Sequence, residues 1–166
     1  MDFFVRPAGP QDHTALGELT VEVYRDLLPQ RPETRDYMAK IRDMGSRAGD
    51  GELLVAVDAA SGRVLGGLLF VVPGSPFSNT ARPGEGEFRL LAVAATERGR
   101  GVGEALVQAC LSRAAELGLR AVAISTQPNM SAAHRLYRRL GFVRAPERDW
   151  EIPSGTPLWV FVADVT

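Results

Sequence analysis

The sequence predicts an α/β domain: a mixed, twisted sheet of about six to seven strands flanked by about four helices. Two observations carry that expectation. Short β-branched apolar runs alternate with stretches of helical periodicity, and glycine or proline closes nearly every run. The length, 166 residues, suits one domain spanning 1–166.

The elements follow in order. Phe3, Phe4 and Val5 open a strand closed by Arg6-Pro7. Asp12 is placed to cap a helix in which Leu16, Leu19, Val23 and Leu27 recur at helical spacing, with Pro29 and Pro32 ending it. A second helical stretch covers Glu33 to Met44 and stops at Gly45. Leu53 to Val57 and Val64 to Val72 read as a hairpin turning at Asp58 to Gly62. Pro73 to Gly86, with three prolines and three glycines, is a loop long enough to touch a substrate. Glu87 to Val93 is a strand, and Gly101 to Leu117 a helix with Val102, Leu106, Ala109, Cys110, Ala114 and Leu117 on one face. Ala121 to Ile124 is a buried strand, and Ser131 to Leu140 a helix ended by Gly141. Phe142-Val143 and Leu158 to Val162 complete the sheet.

Composition narrows the function classes. The formal net charge of −1 gives no sign of a nucleic-acid partner. The single cysteine, Cys110, leaves no internal disulfide, and no Cys/His cluster has zinc-site spacing, so no metal is expected. No apolar run approaches the roughly 18 residues that span a bilayer, and Met1 to Gly9 lacks the pattern of a signal peptide. The cytoplasm is the expected compartment. Of 19 basic residues only Lys40 is lysine, a usage that points to a GC-rich, bacterial coding sequence.

The chemistry concentrates in Glu87-Phe-Arg-Leu-Leu-Ala-Val93 and the following Arg98-Gly-Arg-Gly-Val-Gly103. A strand runs into a glycine-rich turn that opens a helix. Helix N-termini present unpaired N–H groups and the positive end of the macrodipole. Glycines let that backbone approach an anion closely, and Arg98 and Arg100 add charge. A Walker loop would need Lys-Ser/Thr after the glycines, where Glu104 and Ala105 stand. A dinucleotide fingerprint would start directly after the strand and carry another spacing.

Arg-x-x-Gly-x-Gly after a strand ending Leu-Ala-Val resembles the acetyl-CoA pyrophosphate loop of the GNAT superfamily of N-acetyltransferases. Ala132-Ala-His-Arg-Leu-Tyr-Arg-Arg-Leu-Gly-Phe142 resembles a later helix of the same family, with its Leu-Tyr-x-x-Leu-Gly-Phe ending. The element order is similar throughout the chain. The resemblance implies splayed central strands that form an acetyl-CoA cleft, with the backbone of Leu91, Ala92 and Val93 along the pantetheine arm. It implies that Leu91 N–H donates to the thioester carbonyl, and that the amides of Arg98, Gly99, Arg100, Gly101, Val102 and Gly103 hold the pyrophosphate. Asn129, Ala133 and Tyr137 join the cofactor-binding set by the same resemblance. The family's usual asparagine position holds Met130 here, with Asn129 one residue early.

Acetyl transfer to an amine asks for two proton-handling groups. A free alkyl amine with a pKa of about 10.4 is almost wholly protonated at neutral pH, and deprotonation costs roughly 4–5 kcal/mol. The departing thiolate benefits from a proton donor. The resemblance makes Tyr137 the acid and Glu87, four residues before Leu91, the base. Period-2 alternation sets Glu87, Arg89 and Leu91 on one face, and a rim pair of Glu87 with Arg89 is the structural alternative. Cys110 is expected to pack, His13 to lie at the surface, and His134 to be exposed on its helix. Trp150 and Trp159 are expected in the core or an interface. Arg135, Arg138 and Arg139 are expected on a solvated face.

The expected activity is transfer of acetyl from acetyl-CoA to a primary amine, on a small molecule or on a protein. A non-catalytic acyl-CoA-binding or sensing module is the alternative. The partners are acetyl-CoA and the amine acceptor, with no membrane, and a homodimer is compatible with the family.

Overall fold

The computed structural model describes residues 2–25, 32–153 and 155–166. One sheet runs through it, built from β1 (Phe3–Pro7), β2 (Glu52–Asp58), β3 (Val64–Val71), β4 (Glu85–Val93), β5 (Ala121–Thr126), β6 (Val143–Arg144) and β8 (Pro157–Asp164). The spatial order is β1-β2-β3-β4-β5-β8-β6, and the short β7 (Trp150–Glu151) pairs with β8 beside this path. Every neighbouring pair is antiparallel except β4 with β5. The helices are α1 (His13–Arg25), α2 (Pro32–Arg42), the single-turn α3 (Met44–Arg47), α4 (Val102–Glu116) and α5 (Ser131–Arg139).

Alternation along the strands sorts the apolar side chains into two layers. Leu54, Ala56, Leu68 and Phe70 meet Val102, Leu106, Val107, Cys110 and Ala114 of α4. Leu53, Val55, Val57, Leu69 and Val71 face the other way, onto Leu16 of α1 and Met44 of α3. The sheet is therefore covered on both sides, as the long apolar strands foretell.

Several local expectations are corrected. The buried stripe of α1 is Leu16, Gly17, Thr20 and Val21, while Leu19 and Val23 are half-buried. The apolar spacing misled because Gly17 is an interface residue: a Cβ there would lie 2.3 Å from the Arg42 carbonyl oxygen of α2. Pro32 opens α2 instead of ending α1, a position where its missing N–H costs nothing. Leu27 and Pro29 lie outside the described residues. Asp12 closes a 3-10 turn, Pro10–Asp12, where it accepts from Gly9 N–H at 2.8 Å and pairs with Arg6 at 2.7 Å. Leu117 caps α4 and is exposed.

The seam between β4 and β5 is reinforced from the C-terminal side. Arg148 grips Glu85 with two hydrogen bonds, at 2.8 and 3.1 Å, and donates to the Thr80 carbonyl at 2.9 Å. Burial pushes the Glu85 carboxyl up, yet the bonds from Arg148 and from Arg82 N–H overcome it and leave the group below its ordinary value. A carboxyl lowered in the fold adds stability above its unfolded pKa, and that term is lost as pH falls through the folded value. Glu85→Gln is expected to be less stable than the parent at pH 7. Denaturant titrations should show the gap narrowing as pH falls below the ordinary glutamate value of about 4.3 and on through the lower folded one.

Candidate active site

The site begins with a defect in β4. Leu90 has φ +60, the one non-glycine residue in the left-handed region among the described residues. Its register with β3 slips there: Leu69 faces Arg89, whereas Gly67 faces Ala92. Gly66 of β3 allows that close contact, since a Cβ there would lie 2.7 Å from the Ala92 carbonyl oxygen. Left-handed backbone costs a branched residue about 1–2 kcal/mol. Packing offsets it, because Leu90 is clamped among Val21, Tyr24, Tyr37, Met38 and Ile41 of α1 and α2. Tyr24 also donates to the Leu91 carbonyl at 3.3 Å.

The bulge changes which residues share a face. Glu87, Arg89 and Leu90 turn toward α1–α3, whereas Leu91 and Val93 pack with the α4/α5 layer. The expected common face for Glu87, Arg89 and Leu91 is thus corrected. β4 pairs with β5 only through Glu85, Gly86 and Glu87, opposite Ala121, Val122 and Ala123. Beyond that point Ile124 to Thr126 continue along β8, and a gap opens between the strands.

The glycine-rich turn stands at the end of β4. Gly99 and Gly101 adopt φ +90 and +83, and a Cβ on either would meet nothing within 4 Å. Gly101 is the N-cap of α4 and supplies no side-chain cap. The amides of Arg98, Gly99, Gly101, Val102, Gly103 and Glu104 have no protein acceptor among the described residues. Left-handed glycines, open surroundings and free donors at a helix N-terminus form a cradle for phosphate oxygens. Gly103 faces Leu136 of α5 and Val93, at 3.4 and 3.5 Å from an added Cβ, so the cradle adjoins both motif segments. Arg98 is exposed. Arg100 is turned back instead: it pairs with Glu97 and with Asp2, the latter at 2.9 Å, and lies over the Phe3 ring. Its side-chain charge is already neutralised.

Tyr137 projects from α5 into the core beneath the gap, with its ring against Phe88, Phe142 and Phe161. It is 3% exposed. Its hydroxyl has no hydrogen-bond partner among the described residues, and it is not sealed from solvent. Burial raises its pKa above the ordinary tyrosine range, so it keeps its proton at neutral pH. Burial, then the nearby Tyr137, raise Tyr24 in the same way. The two phenols approach the gap from opposite faces of the sheet.

Glu87 is buried on the α1–α3 side, inside the loop that follows β3. Its Oε1 accepts from Ser78 Oγ and from the amides of Asn79, Thr80 and Ala81, at 2.9–3.2 Å. Oε2 has one long contact, from Asn79 N–H at 3.4 Å. Arg89 does not pair with Glu87; it donates to the Phe77 carbonyl at 3.2 Å. Ala133 packs beside Leu136 and Tyr137, and Asn129 is exposed in the turn before α5. Cys110 is buried, as expected.

His134 corrects its expectation. It is buried, hydrogen-bonded to Thr126 Oγ1 at 2.8 Å and stacked on Trp159 at 5.4 Å. Burial, then Arg138, lower its pKa. It braces α5 against β8. Sequence reading also passed over Tyr24, Arg47 and the linked hydroxyls of Thr80 and Ser125, the latter accepting from Trp150 Nε1 at 3.0 Å. For Tyr24 there was a signal, a phenol three and four residues beyond the buried Val21 and Thr20.

A sheet split at a bulge, with an open amide cradle at the end of the bulged strand, is an arrangement able to receive an extended, phosphate-bearing group. The sequence model of the acetyltransferase (GNAT) family matches residues 16–142, and the chain belongs to that family. Over 91 residues it is 41% identical to mycothiol acetyltransferase of Pseudarthrobacter chlorophenolicus, covering 55% of this chain and 27% of that protein. The chain thus spans about a quarter of the length of the curated relatives it matches. A GCN5-related N-acetyltransferase of Kribbella flavida superposes with a TM-score of 0.71 at 27% identity, over 98% of each chain. The Salmonella typhimurium protein yncA, solved with its cofactor acetyl-CoA, shares the fold at TM-score 0.66 and 18% identity, over 100% of this chain and 95% of that one.

Gly101→Asp tests the cradle. Aspartate tolerates left-handed backbone better than most residues, and its Cβ enters open space, so thermal unfolding should move by only a few degrees. Calorimetric titration should show CoA affinity falling at least roughly 100-fold, since a carboxylate would occupy the anion's place.

Proposed function

We propose that this chain transfers the acetyl group of acetyl-CoA to a primary amine by direct attack on the thioester. The observation that carries the reading is the pairing of the open amide cradle with the unpartnered Tyr137 hydroxyl, on the same α4/α5 side of one gap. The amides of Arg98 to Gly103 would hold the diphosphate, and Arg98 would lend its charge. The backbone of Leu91, Ala92 and Val93 would line the pantetheine arm, with Leu91 N–H aimed at the carbonyl oxygen. Ala133 and Asn129 would border the same arm. The family and the relative solved with acetyl-CoA support this reading.

The amine would enter from the α1–α3 side, where Glu87 and the loop between β3 and β4 lie. Glu87 would first take one ammonium proton at Oε2 through a water, which frees the nitrogen lone pair to attack. The C–N bond forms, the C–S bond breaks, and the second nitrogen proton passes through solvent to replace the one that Tyr137 gives up. Tyr137, still protonated, would donate to the departing sulfur. Each residue meets one end of the reaction, and the sheet keeps them apart.

Two substitutions separate these roles. Tyr137→Phe should lower kcat roughly 10²-fold or more, while KM for acetyl-CoA stays within a few-fold; equal loss of both would make the residue structural. Glu87→Gln keeps a carbonyl oxygen for the loop amides but cannot accept a proton. Its rate, followed by release of free CoA thiol, should rise toward higher pH relative to the parent, and an unchanged profile would remove Glu87 from the base role.

A further inference from the structure

We infer that the acceptor amine carries a carboxylate, read by Arg89 at the bulge with Arg47 behind it; this rests on the transferase reading above. Arg47 is the one arginine among the described residues whose whole residue is buried, at 5% exposure. Its Nη1 donates to the carbonyls of Lys40 and Asp43, and its Nε is sealed without any partner. No carboxylate lies within ion-pair distance of it or of Arg89 among the described residues. Arg148, comparably buried at its side chain, has Glu85 in a two-point grip. An isolated buried cation is expensive, and proteins ordinarily pair it.

The two cations converge on one residue. The Arg47 guanidinium lies over the Phe77 ring, 5.2 Å from its centre, and Arg89 donates to the Phe77 carbonyl. Burial, and the positive charge of Arg89 opposing the help of Tyr37 and Asp43, lower Arg47 below its ordinary value. Glu87 could have answered these charges from the same strand, yet its oxygens are turned to Ser78 and to the amides of Asn79, Thr80 and Ala81. Asp43 is engaged with Ser46 N–H at 3.3 Å. Among the described residues this face thus keeps two arginines with no carboxylate in ion-pair contact, immediately before Leu90.

A planar guanidinium matches a carboxylate through two parallel hydrogen bonds. Arg89 is half-buried and retains donors beyond the one given to Phe77, so it is the contact group. Arg47, deeper, is a positioning residue that holds Phe77 and adds field. The reacting nitrogen would lie a few bonds from the carboxylate, since Arg89 precedes Leu91 by only two residues across the bulge.

The test uses the full chain and a panel of α-amino acids, each with its carboxamide and its decarboxylated amine, plus phosphoethanolamine. Release of free CoA thiol gives kcat/KM. The parent should favour the carboxylate-bearing member of a pair by roughly 100-fold. Arg89→Gln should erase that preference while leaving the decarboxylated amines within a few-fold. Arg89→Lys should restore part of it, and Arg47→Met should raise KM for the amino acid more than it lowers kcat. Equal use of all three forms by the parent, equal loss on all of them in Arg89→Gln, or preference for phosphoethanolamine would overturn the inference. Binding of N-acetylated amino acids against N-acetylated amines, measured with CoA present, separates it from the transferase reading. Selective, Arg89-dependent binding without turnover would sink the transferase reading and keep this one; turnover only on the amines that lack a carboxylate would do the reverse.

Discussion

The left-handed turn of Leu90 is the constraint on which the rest of the site depends. One residue out of step in β4 does three things at once. It moves Leu91 and Val93 to the α4/α5 face, leaves Arg89 and Leu90 together on the other, and draws the strand away from β5. The strained backbone persists because α1 and α2 close over the Leu90 side chain and Tyr24 fixes the next carbonyl. The first two helices therefore shape the candidate site by holding the bulge in place.

The two faces differ in electrical character. On the α4 side the field comes mainly from the backbone, aligned peptide dipoles and free amides, with Arg98 exposed beside them and Arg100 already paired with Glu97 and Asp2. On the α1–α3 side it comes from side chains, two arginines left positive and one carboxylate wrapped by its own loop. That loop is ordered around an anion supplied by the sheet: Glu87 collects the amides of three consecutive residues that no strand or helix satisfies.

Much of this was legible in the chain. The element order, the glycine-rich turn before α4 and the Tyr137 helix were readable because each is a local signal: periodicity, a breaker, a spacing. Three kinds of information were not. The bulge at Leu90 has no glycine to mark it and arises from packing against helices about fifty to seventy residues earlier. Gly17 reads as a weak helix former until the backbone of α2 is seen against it. The pairings of Glu87 with its loop, Arg100 with Asp2 and His134 with Thr126 are tertiary; composition supplied the charges and the fold chose the partners.

The three-residue parallel seam at Glu85–Glu87 has a mechanical consequence. On either side of it lies a set of strands whose ladders are complete without crossing the seam, β1 to β4 on one flank and β5, β8 and β6 on the other. Within the sheet the two flanks are joined through that short seam alone, cross-braced by Arg148 on Glu85 and by Phe88 on Tyr137. A wider gap beyond that seam would break no ladder hydrogen bond inside either flank.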